Sequence, residues 1–271
     1  MNDITIKKSL NFDIATDKTV TVYLSPDFIQ ITAVENNYNI DYKKLSKNTV
    51  LYIRTGKAKK VSHNNNYRSI GSLRKTFSKL SLLINCNYCG DKSECFISLS
   101  YAKKVSDYEE LQKDIKNLWA RFQRRNKGRT PFRCLVLIEY QINGNPHLHL
   151  LLKRLDSCTL TTEYTKKLFD WNKGTIDVQR LYDAKGLAEY LNPFIVSKKK
   201  KCLKFYKTGQ QIYRCYGQFV RPKKLKMSVE EAMKFVEKNQ LTEFKSQAYL
   251  IINNNKMVNK IIKKNFKKNE F

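Results

Sequence analysis

Apolar and polar residues alternate with a period of two in several short runs near the start of the chain: Val20–Leu24, Phe28–Ala33 and Val50–Ile53. That period marks strands with one buried face, so residues 1–66 read as a small β-rich region ending in the linker Asn64–Asn66. From Ile70 the period changes. Leu73, Phe77, Leu80, Leu83 and Ile84 recur at helical spacing opposite Arg74, Lys75 and Lys79, a basic amphipathic helix. Cys95–Tyr101 alternates again as a strand. Ser106-Asp-Tyr-Glu109 has the form of a capping box and opens a helix with the stripe Leu111, Ile115, Leu118, Trp119 and Phe122, closed by Gly128 and Pro131. Arg133–Ile142 is a second strand, Asn143-Gly144 a hairpin turn, and residues 147–152 the partner strand.

Further on, the pattern predicts a helix near 161–170, a strand at Thr175–Val178 and a helix from Asp183 to Leu191 that Pro193 stops. An aromatic, β-like stretch follows over Phe205–Val220. Ser228 caps a further helix, and Lys256–Phe271 reads as a disordered lysine-rich tail. The middle order, strand–helix–hairpin–helix–strand–helix, predicts an α+β fold: an antiparallel sheet with helices on one face. Three parts are expected: 1–66, β-rich; 67–222, the α+β domain; and 223–271, a helical, basic extension.

Composition narrows the partner. The chain is 41% hydrophobic, with 16 Tyr and 14 Phe, enough for a substantial core. Against 24 Asp and Glu stand 52 Lys and Arg, a formal charge of +28. Such a field collects polyanions, nucleic acid above all. An AT-rich genome inflates Lys and Asn, but it does not account for the cluster Arg121, Arg124, Arg125, Lys127, Arg129 and Arg133. No apolar run is long enough to span a membrane, and the first residues lack the apolar core of a signal peptide. Seven cysteines without an export signal read as reduced thiols of a cytoplasmic protein. Cys86 and Cys89, with Cys95 behind them, could form half of a zinc site, but a second pair is missing and buried thiols are expected instead.

The candidate chemistry is concentrated in Pro146-His-Leu-His-Leu-Leu-Leu152. The chain holds three histidines, and two of them, His147 and His149, stand here one residue apart. On a strand they project to one face while Leu148, Leu150 and Leu152 project to the other. They are either a pair of satisfied sheet histidines or two ligands for one divalent ion. Glu139, on the adjoining strand, is an acid inside an apolar run, where an unpaired carboxylate is expensive. Paired with a nearby Lys or Arg it is structural; beside a cation it completes a mixed N/O set suited to Mg²⁺ or Mn²⁺ carrying a phosphate oxygen. Gln141 is a fallback ligand. Tyr190, about forty residues after the histidines, lies on a short amphipathic helix with Lys185 close by and Lys198–Lys201 following. It is either a nucleophile beside that face or a ring packed for its area.

The order of elements resembles the HUH endonuclease superfamily, and within it the rolling-circle replication initiators (Rep proteins) of plasmids and single-stranded DNA phages. Phe96-Ile-Ser-Leu-Ser-Tyr101 looks like their first motif, with serines in place of the usual threonines. Pro146–Leu152 is similar to the second, two histidines around a hydrophobic residue, and Glu139 stands where many of these proteins carry a third ligand. Gly186-Leu-Ala-Glu-Tyr-Leu-Asn-Pro-Phe194 looks like the third motif, which holds the tyrosine nucleophile. Phage-type members often carry a second tyrosine four positions on, after a lysine; here Phe194 and Pro193 stand there, which points to a single-tyrosine enzyme.

The resemblance, over roughly residues 70–220, implies a ferredoxin-like palm with Glu139, His147 and His149 holding Mg²⁺ or Mn²⁺. It implies that Tyr190 nicks single-stranded DNA at a replication origin through a 5′-phosphotyrosine link, with a host polymerase extending the freed end. No Gly-rich nucleotide loop is present, so a nucleotide cofactor is not expected and a helicase would come from the host, a prokaryote. Arg124, Arg125, Lys185, Lys198 and Lys199 are the expected phosphate contacts. The alternatives are a single-strand tyrosine transposase, usually a shorter protein, and a non-catalytic nucleic-acid-binding protein, which leaves the histidines and Glu139 without a role. A conjugative relaxase would need a third clustered histidine. The separation of Tyr190 from the histidine face discriminates between enzyme and binding protein, and Tyr182 and Tyr206 are the next tyrosines to consider.

Overall fold

A strand that is apolar at both parities needs cover on both faces. Phe132–Tyr140 is such a strand: Cys134, Val136 and Ile138 alternate with Leu135 and Leu137, and all five are buried. The computed structural model describes residues 4–10, 13–35, 42–46, 49–52, 55–60, 67–105, 107–128, 130–182, 184–192, 197–253 and 256–268. The chain divides into two compact units, Met1–Asn64 with Arg221–Phe271, and Asn65–Val220. Both are built on antiparallel sheets, and the class is α+β as expected.

The chain opens with β1 (Ile4–Ser9), β2 (Thr19–Ser25), β3 (Phe28–Val34), β4 (Tyr42–Ser46), β5 (Thr49–Tyr52) and β6 (Ala58–Lys60), the last three forming a small sheet. The second unit then follows as α1 (Ile70–Asn87), β7 (Glu94–Tyr101), α2 (Tyr108–Asn126), β8 (Phe132–Tyr140) and β9 (Pro146–Arg154). It continues with α3 (Thr162–Phe169), β10 (Gly174–Arg180), α4 (Ala184–Tyr190), a 3₁₀ segment (Ser197–Phe205) and β11 (Tyr213–Tyr216). Its five strands pair in the order β10-β7-β9-β8-β11.

One sheet face carries Ile97, Leu99, Val136, Ile138, Leu148 and Leu150, packed with Leu111, Ile115, Leu118 and Phe122 of α2 and Leu168 and Phe169 of α3. The other face carries Leu135, Leu137 and Leu151 in one cluster with Leu73, Phe77, Leu80 and Leu83 of α1 and Leu187 and Ala188 of α4. Helices therefore cover both faces, not one. The cause is the continuous apolar run of β8, which an alternating strand with one wet face would not contain.

Local signals account for the helix ends. Ser69 caps α1, its hydroxyl accepting from the Ser72 N–H, and Thr161 caps α3 in the same way. The cap of α2 is Asp107, whose carboxylate accepts from the Glu109 N–H at 2.9 Å; Ser106, expected in that role, lies outside the described residues. So do Asp183, Pro193 and the Asn64–Asn66 linker. Of the stretch expected as β-like over Phe205–Val220, only β11 is a strand. Gly209 and Gly217, both at positive φ, bracket it.

The chain then returns to the first unit as β12 (Lys223–Ser228), α5 (Val229–Lys238), β13 (Leu241–Asn253) and β14 (Lys256–Lys268). The capping box Ser228–Glu231 forms at α5 as the sequence predicts. The rest of 223–271 departs from the expected helical extension and disordered tail. β13 and β14 pair along 13-residue strands, β13 also with β1 and β14 with β3, while β12 pairs with β2. The first and last parts of the chain thus share one six-stranded sheet, order β1-β13-β14-β3-β2-β12. Val229, Ala232 and Val236 pack with Val20, Val22, Ile29 and Ile31, and Ile262 and Phe266 join the same core. Lysine abundance hid the period: apolar Ile262 and Phe266 share a face, and lysines fill most positions between them.

Candidate functional site

The register of three strands builds the site. Ser100 of β7, His147 of β9 and Glu139 of β8 form one cross-strand row, and Ser98, His149 and Leu137 form the next. On β10, Thr175 pairs with Ser100 and Asp177 with Ser98, extending both rows to the sheet edge. Two glycines permit the close approaches this needs. At Gly174 an added Cβ would lie 2.0 Å from the Ser100 carbonyl oxygen, so only glycine lets β10 start beside that serine. Gly144 takes φ +82 in the loop joining β8 to β9, where a Cβ would press on Phe205.

The imidazoles are held from behind. Ser98 Oγ pairs with His149 Nδ1 at 3.2 Å, and Ser100 Oγ with His147 Nδ1 at 3.0 Å. With Nδ1 so engaged, Nε2 is the atom each ring turns to chemistry. His149 Nε2 meets Glu139 Oε2 at 2.7 Å, and the two imidazole centroids are 4.7 Å apart. His149 itself is buried, stacked on Phe96 at 5.2 Å. Tyr190 stands edge-on to the same ring at 6.4 Å, and half of its side chain is exposed. The structure therefore brings Glu139, His147, His149 and Tyr190 together on one face. Two imidazole nitrogens and a carboxylate are a donor set that suits a divalent cation with positions left open.

The other tyrosines differ. Tyr206 is buried and its hydroxyl donates to the Ile138 carbonyl at 3.1 Å. Burial first, and then the Glu139 charge, hold its pKa well above the usual phenol value, which removes it as a nucleophile. Tyr182 is exposed, with the Arg180 guanidinium 5.3 Å over its ring.

The expected phosphate contacts do not gather at the histidines. Arg124 and Arg125 lie in the last turn of α2, the helix packed on the opposite sheet face. Arg125 is tied to Asp170 at 2.5 Å and to the Lys167 carbonyl. Lys185 falls on α4 and Lys198 and Lys199 on the 3₁₀ segment, and their side chains lie outside the described residues.

A second polar cluster occupies the far end of the same face. Cys89, Asp91 and Glu94 are, among the described residues, the group whose three donor atoms all lie within 4.8 Å of one another. A cation of the protein already sits there: Lys153 Nζ donates to Glu94 at 2.7 Å and to Asp91 at 2.9 Å. The Cys89 and Gly90 N–H groups also donate to Glu94. Burial alone would raise the Asp91 carboxyl, but hydrogen bonds from Ser93 and Lys153 outweigh it and hold the group at about 2. Cys95 Sγ belongs to the other face, beside the Leu160 carbonyl, so Cys86, Cys89 and Cys95 form no common thiolate site. Glu139, His147 and His149, by contrast, are a contacting pair with the third ligand alongside rather than a closed cage.

Sequence reasoning missed Ser98 and Ser100 as partners of the histidines, and Phe96 as the plate beneath His149. Strand parity and the i, i+2 match between the two motifs carried that signal. Among the described residues no helix is long and apolar enough to cross a membrane. No curated protein and no solved structure matches the chain. Residues 94–200, from β7 into the 3₁₀ segment, match a family model described as replication-associated protein, of the ORF2 group, so the stretch that carries all four gathered residues is similar to replication-associated proteins.

Proposed function

We propose that the chain is a rolling-circle replication initiator that nicks and rejoins single-stranded DNA through Tyr190. The observation that carries this reading is the approach of Tyr190 to His149, 6.4 Å between rings, on the face where Glu139 meets the histidine pair. In the nicking step the Tyr190 oxygen attacks the phosphorus, a Tyr–O–P bond forms and the bond from phosphorus to the 3′ oxygen breaks. The phenol proton ends on the departing oxygen, leaving a 3′-hydroxyl and a 5′-phosphotyrosine. Attack by a 3′-hydroxyl on that link reverses the step, and the phosphodiester energy is conserved without a nucleotide cofactor.

Glu139, His147 and His149 would hold the divalent ion, Mg²⁺ or Mn²⁺, which when bound polarises the scissile phosphate as a Lewis acid. Ser98 and Ser100 fix the ring orientations. Phe96 and the α4 helix keep His149 out of bulk water. Origin DNA, a host polymerase and a host helicase are the partners this reaction requires.

The test is a covalent adduct that survives denaturation when the protein meets a pool of single-stranded DNA with Mn²⁺. The wild type should form it, a chelator should prevent it, and Tyr190→Phe and the double change His147→Ala with His149→Ala should abolish it. Persistence in Tyr190→Phe would transfer the role to another tyrosine, Tyr182 first. Absence of any adduct from the wild type would refute the enzyme reading.

A further inference from the structure

Beside Tyr190 the sheet face and α4 leave a cleft of about 480 Å³, lined by Phe96, Ser98, Asp177, Gln179, Leu187 and Tyr190 among others. Asp177 and Gln179 belong to the edge strand β10, in register with Ser98 and Phe96, and both are exposed. We infer that this cleft receives one nucleobase of the DNA strand next to the scissile phosphate, and that Asp177 and Gln179 select a base with an exocyclic amino group over thymine. The inference rests on the nicking reading of the same site.

The shape and chemistry of the walls lead there. Phe96, Leu181 and Leu187 present apolar surface suited to a flat ring. The polar edge is rich in acceptors. Gln179 Nε2 already donates to Asp177 Oδ2 at 2.7 Å, which leaves the second carboxylate oxygen and the amide oxygen against one remaining amide hydrogen. Amino groups of cytosine, adenine or guanine satisfy such an edge. Thymine turns two carbonyl oxygens towards it, with one N–H between them. A carboxylate is also the wrong group for a phosphate contact in a protein of formal charge +28; it repels the backbone and admits the base edge. Arg180, at the rim of the cleft, supplies the cation for the adjoining phosphate. A polar edge strand also resists pairing with other chains, but that duty asks nothing of which way Asp177 and Gln179 face, and here they face the nucleophile.

The experiment sequences the DNA captured covalently by wild type and by Asp177→Asn and Asp177→Ala from a fully randomised single-stranded pool with Mn²⁺. Thermal unfolding confirms that the variants fold. The wild-type pool should exclude thymine at one position flanking the nick. Asp177→Asn, which swaps an acceptor for a donor, should raise thymine there about tenfold, within the discrimination of a base contact; Asp177→Ala should flatten that position alone. The readout is the base profile, not the yield. Unchanged profiles in both variants would overturn this inference and leave the nicking reading standing, whereas a wild type that captures no DNA would overturn both.

Discussion

Two polar clusters lie on one face of the same sheet, at opposite ends of β9. At one end Lys153 meets Glu94 and Asp91; at the other His149 meets Glu139. Six residues, about 20 Å of strand, separate Lys153 from His147, and Leu135, Leu137 and Leu151 fill the space between with apolar side chains. Both clusters put a carboxylate where burial disfavours its charge. The first closes on an ammonium that only structure requires, and backbone N–H groups take the remaining lone pairs. The second closes on an imidazole, a group that ligates metals and passes protons. A buried acid is therefore no functional signal by itself; the kind of group that meets it is.

Changes at the two ends should break in different ways. The largest effect is expected from His149→Ala with Glu139→Ala, which should lower adduct formation by about a thousandfold or more, the scale of losing a preorganised electrostatic element. Calorimetry should register the loss of Mn²⁺ binding in the same protein, while its unfolding remains cooperative. At the closed end, Lys153→Ala leaves the fully buried Glu94 without its cation and should destabilise the fold by about 3–5 kcal/mol, read as a lower Tm. Mn²⁺ affinity of the remaining folded protein should not move. Were Lys153→Ala to abolish Mn²⁺ binding, the division between the clusters would be wrong.

A smaller effect is expected behind the histidines. Ser98→Ala should weaken Mn²⁺ binding about tenfold, the low end of what outer-shell partners contribute, and Ser98→Thr should keep most of it. Equal affinity in Ser98→Ala would mean that Phe96 and Glu139 alone orient the ring. The smallest effect is in pH. Asp91 is held near 2, below the ordinary value of about 3.9, so its contribution to stability is present above about pH 4 and disappears as pH falls towards 2. Thermal unfolding across that window should show a steeper loss in wild type than in Asp91→Asn; parallel curves would contradict the closed-cluster description.

The second unit was legible because its signals are local. The alternation of Cys95–Tyr101, the stripe of α2, the Asn143-Gly144 turn and the histidine pair each need only a few neighbouring residues, and together they order the strands. Cover on both faces was legible in principle, in the unbroken apolar run of β8, but parity alone does not say which helix supplies it. The pairing of β13 and β14 with the N-terminal strands was not legible. Those contacts join residues from opposite ends of the chain, and the lysines between Ile262 and Phe266 obscure the period. In the site, Glu139 and the histidines followed from register. The serines that hold His147 and His149, and the separate saturation of Glu94 by Lys153, depend on which side chains meet across strands, which no single strand encodes.

The central claim is that Tyr190 supplies the attacking oxygen at the histidine face, and it is tested most directly by locating the nucleotide. Wild-type protein incubated with randomised single-stranded DNA and Mn²⁺, then digested with trypsin and nuclease, should yield the peptide Gly186–Lys198 carrying a 5′-linked nucleotide, with fragmentation placing the phosphate on Tyr190. A phosphate on Tyr182 or any other residue, or cleaved DNA with no peptide attached, would contradict the account.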